Sequence, residues 1–98
     1  MVNLMTKLNI GCGTDYREGF INIDGSGCLS RVDKVVDISS DSLRNYFEKE
    51  SADYILANDI LEHHFHWEAV NILKDLHSIL TATGTLEIMA FGKPDRRF

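Results

Sequence analysis

Four side chains able to accept hydrogen bonds or move protons stand near the ends of short apolar runs. Asp24 follows Ile21-Asn22-Ile23, Asp37 lies in Val36-Asp37-Ile38, and Asn58 and Asp59 follow Tyr54-Ile55-Leu56-Ala57. They accompany Gly11-Cys12-Gly13, which closes the run Leu8-Asn9-Ile10. A strand that stops at Gly-x-Gly lets the backbone turn sharply at its carboxyl end, where open α/β sheets bind their ligands. A carboxylate ending the next strand has two oxygens with which to hold hydroxyl groups. Glycines at turns are also commonly just turns, and Asp24 and Asp37 also read as exposed strand-end or helix-capping residues. The dinucleotide fingerprint would add a third glycine three residues after the second and an acid about 20 residues further on. Here Tyr16 occupies the third-glycine position, and Asp24 comes much earlier than the fingerprint requires. Asp15 would repel a pyrophosphate approaching the backbone N–H groups. The pattern suits an adenosine-type ligand without phosphates, preferably one carrying positive charge.

The elements that must position these residues follow from apolar spacing. Residues 6–10 and 20–24 form the first two strand candidates, separated after the turn only by residues 14–19. A parallel crossover usually needs about 10 to 12 residues including its helix, so this one holds a single short turn or none. Residues 33–38 read as a third strand. Ser39, Ser40 and Asp41 are good N-caps, and Leu43, Tyr46 and Phe47 mark a short amphipathic helix to about Lys49. Residues 53–58 form a fourth strand whose apolar centre suits burial on both faces. Residues 62–67 are polar and histidine-rich. A helix from Trp67 then places Val70, Leu73, Leu76, Ile79 and Leu80 on one core-facing stripe, and Gly84 stops it as a left-handed residue. Residues 85–91 complete the pattern as a fifth strand. Strands alternating with helical segments indicate a parallel sheet with helices on its faces.

The 98 residues make one domain at most, and hydrophobic and charged fractions of 44% and 26% are those of a globular chain. A formal charge of -5 offers no electrostatic footprint for nucleic acid or an anionic membrane. No stretch approaches the roughly 20 apolar residues of a membrane span, and the amino terminus lacks the pattern of a signal peptide. Cys12 and Cys28 lack C-x-x-C spacing, so reduced thiols in a cytoplasmic protein are expected.

Taken in order, these motifs resemble those of class I S-adenosylmethionine-dependent methyltransferases. The residues that carry the resemblance are Leu8-Asn9-Ile10-Gly11-Cys12-Gly13, Ile21-Asn22-Ile23-Asp24, Val36-Asp37-Ile38, the run from Ala52 to His63, and the run from Leu73 to Ile88. No single motif is decisive; their order is. The short first crossover is similar to a branch of the family in which a loop replaces most of the first helix. The resemblance implies a Rossmann-like α/β fold, an open and mostly parallel sheet of about five strands in the order 3-2-1-4-5, without the family's last two strands. It implies S-adenosyl-L-methionine as cofactor. Gly11 and Gly13 would pass close to its methionine part with Asn9 or Cys12 lining the turn. Asp24 would hold the ribose hydroxyls, Asp37 and Ile38 the adenine, and Asn58 the amino-acid end.

A methyl donor arrives activated, so positioning the acceptor supplies most of the rate. A base helps when the acceptor is a hydroxyl, and Asp59 and His63 sit where the family approaches its substrate, although Asp59 replaces another polar residue, often histidine. Asp59, Glu62 and His63 share one helical face by spacing. A metal wants a fuller set of oxygen ligands than this segment offers, so no metal is assigned. The acceptor is expected to be a small molecule or glycan-type compound. The alternatives are a non-catalytic adenosylmethionine-binding or assembly module and, less favoured, an NAD-binding Rossmann domain. Without further strands, residues 85–91 would present an apolar sheet edge, an invitation to pair with another chain, so either a homodimer or a missing carboxyl-terminal portion is expected.

Overall fold

The structure, a computed structural model, describes residues 5–13, 15–25, 31–58, 66–89 and 96–97. Its strands are β1 (Lys7–Ile10), β2 (Ile21–Asp24), β3 (Lys34–Val35), β4 (Ala52–Asn58), β5 (Leu80–Met89) and β6 (Arg96–Arg97). A 3-10 turn spans Leu43–Asn45, and a helix, α1, spans His66–Ile79. The strands form one sheet in the order β3-β2-β1-β4-β5-β6. The first five are parallel to their neighbours, which gives the expected 3-2-1-4-5 arrangement of a Rossmann-like α/β fold.

Register explains the core. Residues aligned across parallel strands point to the same face. Ile10 aligns with Ile23 and Ala57, Leu8 with Ile55, and Ile55 and Ala57 with Leu86 and Ile88. These side chains are buried together with Ile72, Leu76 and Ile79 of α1. The alternate row, Asn22, Asn9, Leu56 and Glu87, lies on the other face and is buried as well. The centre of β4 is therefore enclosed on both sides, as its apolar run predicts.

The helix corrects the expected stripe. Its buried positions are Ile72, Leu76 and Ile79, with Leu73 packed at their margin, whereas Val70 is 37% exposed and outside the core. The helix also ends at Ile79, earlier than expected, because other backbone groups take its last carbonyls. Glu50 N donates to Ser78 O at 3.0 Å and Ser51 N to Ile79 O at 2.8 Å. Carbonyls at a helix end need such partners.

Gly84 does not stop the helix; it lies inside β5. Ala52 pairs with Leu80 but Tyr54 pairs with Thr85, so residues 81–84 bulge from the ladder. A Cβ on Gly84 would lie 2.7 Å from Leu80 Cδ1 and 2.9 Å from Thr81 Oγ1. Close approach, not a left-handed backbone, requires glycine there.

The expected helix to Lys49 is instead the three-residue 3-10 turn, capped by Ser42. Ser42 Oγ and Leu43 N both donate to Asp75 Oδ2 of α1, at 2.7 and 3.2 Å. Leu43 is buried while Tyr46 is exposed, so a full amphipathic face does not form. The third strand is only Lys34–Val35; beside it the Asp33 carboxylate takes the backbone N–H of Asn22 on β2, and the Asp37 carboxylate takes Ser39 N.

The predicted bare edge also needs correction. β6 pairs antiparallel with β5, placing Arg97 opposite Glu87 and Arg96 opposite Ile88, so the chain covers part of its own fifth-strand edge. Among the described residues, no helix is long and apolar enough to cross a membrane.

Candidate functional site at the carboxyl end of the sheet

The chain leaves β1 through two residues that only glycine adopts easily. Gly11 and Gly13 have φ of 70° and 54°, in the left-handed region that costs other residues roughly 1–2 kcal/mol. The turn is tied to the adjoining strand. Gly11 N and Cys12 N both donate to Ile23 O, at 2.8 and 3.1 Å. Gly13 N donates to Asp24 Oδ2 at 2.9 Å. Among the described residues, a Cβ built on Gly13 would meet no heavy atom within 4 Å, so this glycine faces open space there.

Topology makes this end of the sheet the candidate ligand site. The chain moves outward from β1 to β2 and β3, then returns to β4 on the other side of β1. The order reverses between β1 and β4, and open α/β sheets bind ligands at the carboxyl ends flanking such a reversal. Ile10 and Ala57 are aligned there, and Asn58 closes β4 opposite Met89.

Gly11, Cys12, Gly13 and Asp24 are thus brought together. Asp37 shares the rim: Val36 N donates to Asp24 O at 3.1 Å, and a Cβ on Gly25 would touch the Asp37 backbone at 3.5 Å. Asp37 Oδ1 accepts from Ser39 N and Ser39 Oγ, at 3.1 and 2.6 Å, which is the capping behaviour its sequence allows. Ile38 packs against the core and helps line a cleft of about 320 Å³ with Ser39, Asn71 and Lys74. Asp59, His63 and Glu62 lie outside the described residues, as does most of the histidine-rich segment.

The local field is negative. Burial, followed by the charge of Asp24, pushes the Cys12 thiol above its ordinary range, and Asp33 and Asp15 add to the effect. Cys12 is buried and donates weakly to Gly13 O at 3.7 Å, so its thiol is neutral and poorly placed to act as a nucleophile. Asp15 is partly offset by Arg17, whose Nε lies 3.0 Å from Oδ2 with both groups exposed.

Asn9 does not simply line the turn. It is fully buried, and its Nδ2 donates to Asp15 O at 2.8 Å and to Asn22 Oδ1 at 2.9 Å. Asn22 and Asp33 are the residues that sequence reasoning missed. Asp33 Oδ2 accepts from Asn22 N and Nδ2, at 2.8 and 3.0 Å. The one sequence signal was the shortness of the first crossover, which must be fastened without a helix.

Compared with known proteins, the chain matches no protein family, and no curated protein matches it.

Proposed function

We propose that the chain binds S-adenosyl-L-methionine at the Gly11–Gly13 turn and acts as a methyltransferase on a small-molecule or glycan-type acceptor. The observation that carries the reading is the Gly13–Asp24 bond, which fastens a left-handed glycine turn to an acid at the topological reversal of the sheet. Bound there, the cofactor supplies a methyl group already activated on a positively charged sulfur.

The residues present fit such a ligand. Gly13 leaves the space that a side chain would take, so a ligand can approach the backbone closely. Asp24, Asp33 and Asp15 place negative charge about the turn, where, after burial, their charges help to raise the Cys12 thiol. A sulfonium gains from that field, whereas the pyrophosphate of NAD would lose by it. Asp24 uses one oxygen on Gly13, and a carboxylate accepts several hydrogen bonds at once, so it can hold the turn and a ribose together. Asp37 and Ile38 are assigned to the adenine, and Asn58 to the amino-acid end. The acceptor side is assigned to Asp59 and His63, which follow β4, with one of them taking the proton released by a hydroxyl acceptor. A homodimer through β5 would have to extend or displace β6.

Isothermal titration calorimetry with S-adenosylmethionine, S-adenosylhomocysteine and NAD tests the reading. Binding of the first two without NAD is expected. Binding of NAD alone would overturn it, and donor binding without product from any acceptor panel would favour a non-catalytic module.

A further inference from the structure

We infer that Asn22 and Asp33 form a positioning pair, which replaces the absent crossover helix and holds the glycine turn in its ligand-binding shape from outside the site. The inference rests on the methyl-donor reading of that turn. In a doubly wound sheet the segment between β1 and β2 is normally stiffened by its own helical hydrogen bonds. Here residues 15–20 contain no helix, and their backbone is held instead by the buried side chains of Asn22 and Asn9, with Asp33 bonding Asn22 from the exposed side.

Asn22 lies in the middle of β2 and is fully buried. Its Oδ1 accepts from Arg17 N and Asn9 Nδ2, both at 2.9 Å. Its Nδ2 donates to Arg17 O and Phe20 O, both at 3.0 Å. Asn9 adds the bond to Asp15 O, and Asp15 N donates to Cys12 O at 2.7 Å. A continuous path therefore runs from Asn22 through Asn9 and Asp15 to the turn. The second anchor of the turn, Asp24, stands two positions along the same strand, on the same pleat side as Asn22.

Asp33 locks this arrangement from the exposed side. One oxygen takes both donors of Asn22, and Tyr16 Oη donates to the other at 2.8 Å. Hydrogen bonds to a carboxylate are stronger than neutral ones, and those from Asn22 hold the Asp33 carboxyl below its ordinary range. Arg31 stacks 3.9 Å from the Tyr16 ring centre and pairs with Glu18 at 3.0 Å, closing the outer side of the crossover. Asp33 and Tyr16 thus bear on the turn through Asn22.

The test uses the full chain and two readouts: amide hydrogen exchange at Arg17 and Gly13 without ligand, and calorimetric affinity for S-adenosylhomocysteine. Asp33→Ala is expected to speed exchange at both amides by about tenfold and to weaken binding by a similar factor, the effect of losing one or two net hydrogen bonds. Asp33→Asn keeps an acceptor for Asn22 N and should restore most of both. Asp24→Ala should weaken binding while leaving Arg17 exchange as in the wild type. Leu76→Ala, a core change that lowers global stability, should leave the affinity of the folded protein unaltered. Wild-type exchange in Asp33→Ala would overturn the inference, as would wild-type affinity in that variant when the parent binds. Should the parent take no S-adenosylhomocysteine, the methyl-donor reading falls, while faster Gly13 exchange in Asp33→Ala would still establish the positioning pair. Should Asp33→Ala fail to fold, the Asp33→Asn exchange profile decides. Arg17 and Gly13 protection in that variant that falls on acidification just as it does in the wild type would then overturn it.

Discussion

Asp24 Oδ2 accepts the backbone N–H of Gly13 at 2.9 Å, so the acid that ends β2 shapes the turn that ends β1. A single carboxylate thereby serves both the turn and the surface a ligand would meet. Replacing it should be felt twice. Asp24→Ala is expected to weaken S-adenosylhomocysteine binding by about 1.5–3 kcal/mol, the range for a hydrogen bond to a charged group, which is roughly 10- to 150-fold in affinity. Calorimetry on the folded variant checks this, and unchanged affinity would remove Asp24 from the site.

Gly13→Ala separates backbone strain from crowding. At φ 54° a Cβ is strained, yet among the described residues it would meet no atom within 4 Å. The stability cost should therefore be only the left-handed penalty, about 1–2 kcal/mol, measured by denaturant unfolding. The same methyl group would occupy the space through which a ligand approaches the backbone. Binding should fall by more than the loss of stability explains.

Gly84→Ala should do the reverse. Its Cβ would press on Leu80 Cδ1 at 2.7 Å, at the bulge where α1 hands over to β5. Overpacking of this kind costs typically about 1–3 kcal/mol, and the unfolding midpoint should drop accordingly. The site lies at the opposite end of the sheet, so ligand affinity of the folded fraction should stay at the parent value.

The sheet was legible because β1, β2 and β4 are apolar runs bounded by glycine, aspartate or asparagine, and their order follows from alternation with helical segments. The glycine turn and Asp24 were legible for the same reason: both punctuate strands. Asn22 was not. In Ile21-Asn22-Ile23 the alternation points the amide away from the apolar face, which ordinarily means toward solvent, yet the crossover folds over it and buries it. Gly84 was misread because a glycine after an apolar helix fits a left-handed stop equally well. Only the register jump between Ala52–Leu80 and Tyr54–Thr85 shows the crowding. The short third strand reflects competition that spacing does not encode: the Asp33 carboxylate takes the backbone N–H of Asn22 on β2, and the Asp37 carboxylate takes Ser39 N.

Acid should loosen the crossover before it unfolds the core. Hydrogen bonds from Asn22 hold Asp33 below its ordinary range, and the bond from Tyr46, followed by that from Asn45, does the same for Asp41. A carboxyl whose folded value is depressed binds fewer protons folded than unfolded, so its contribution to stability is complete above the unfolded value. That contribution is lost as pH falls through the folded value. Asp33 is exposed and Asp41 partly exposed, so the loss is modest and salt-screened. The expected sequence on acidification, starting near the ordinary carboxylate range, is faster exchange at Arg17 and Asn22 while Leu8, Ile55 and Leu76 remain protected. Exchange rates corrected for intrinsic pH dependence check the order. In Asp33→Asn the early step at Arg17 and Asn22 should disappear, because the group that titrates is gone, and its persistence would assign that step to another carboxylate.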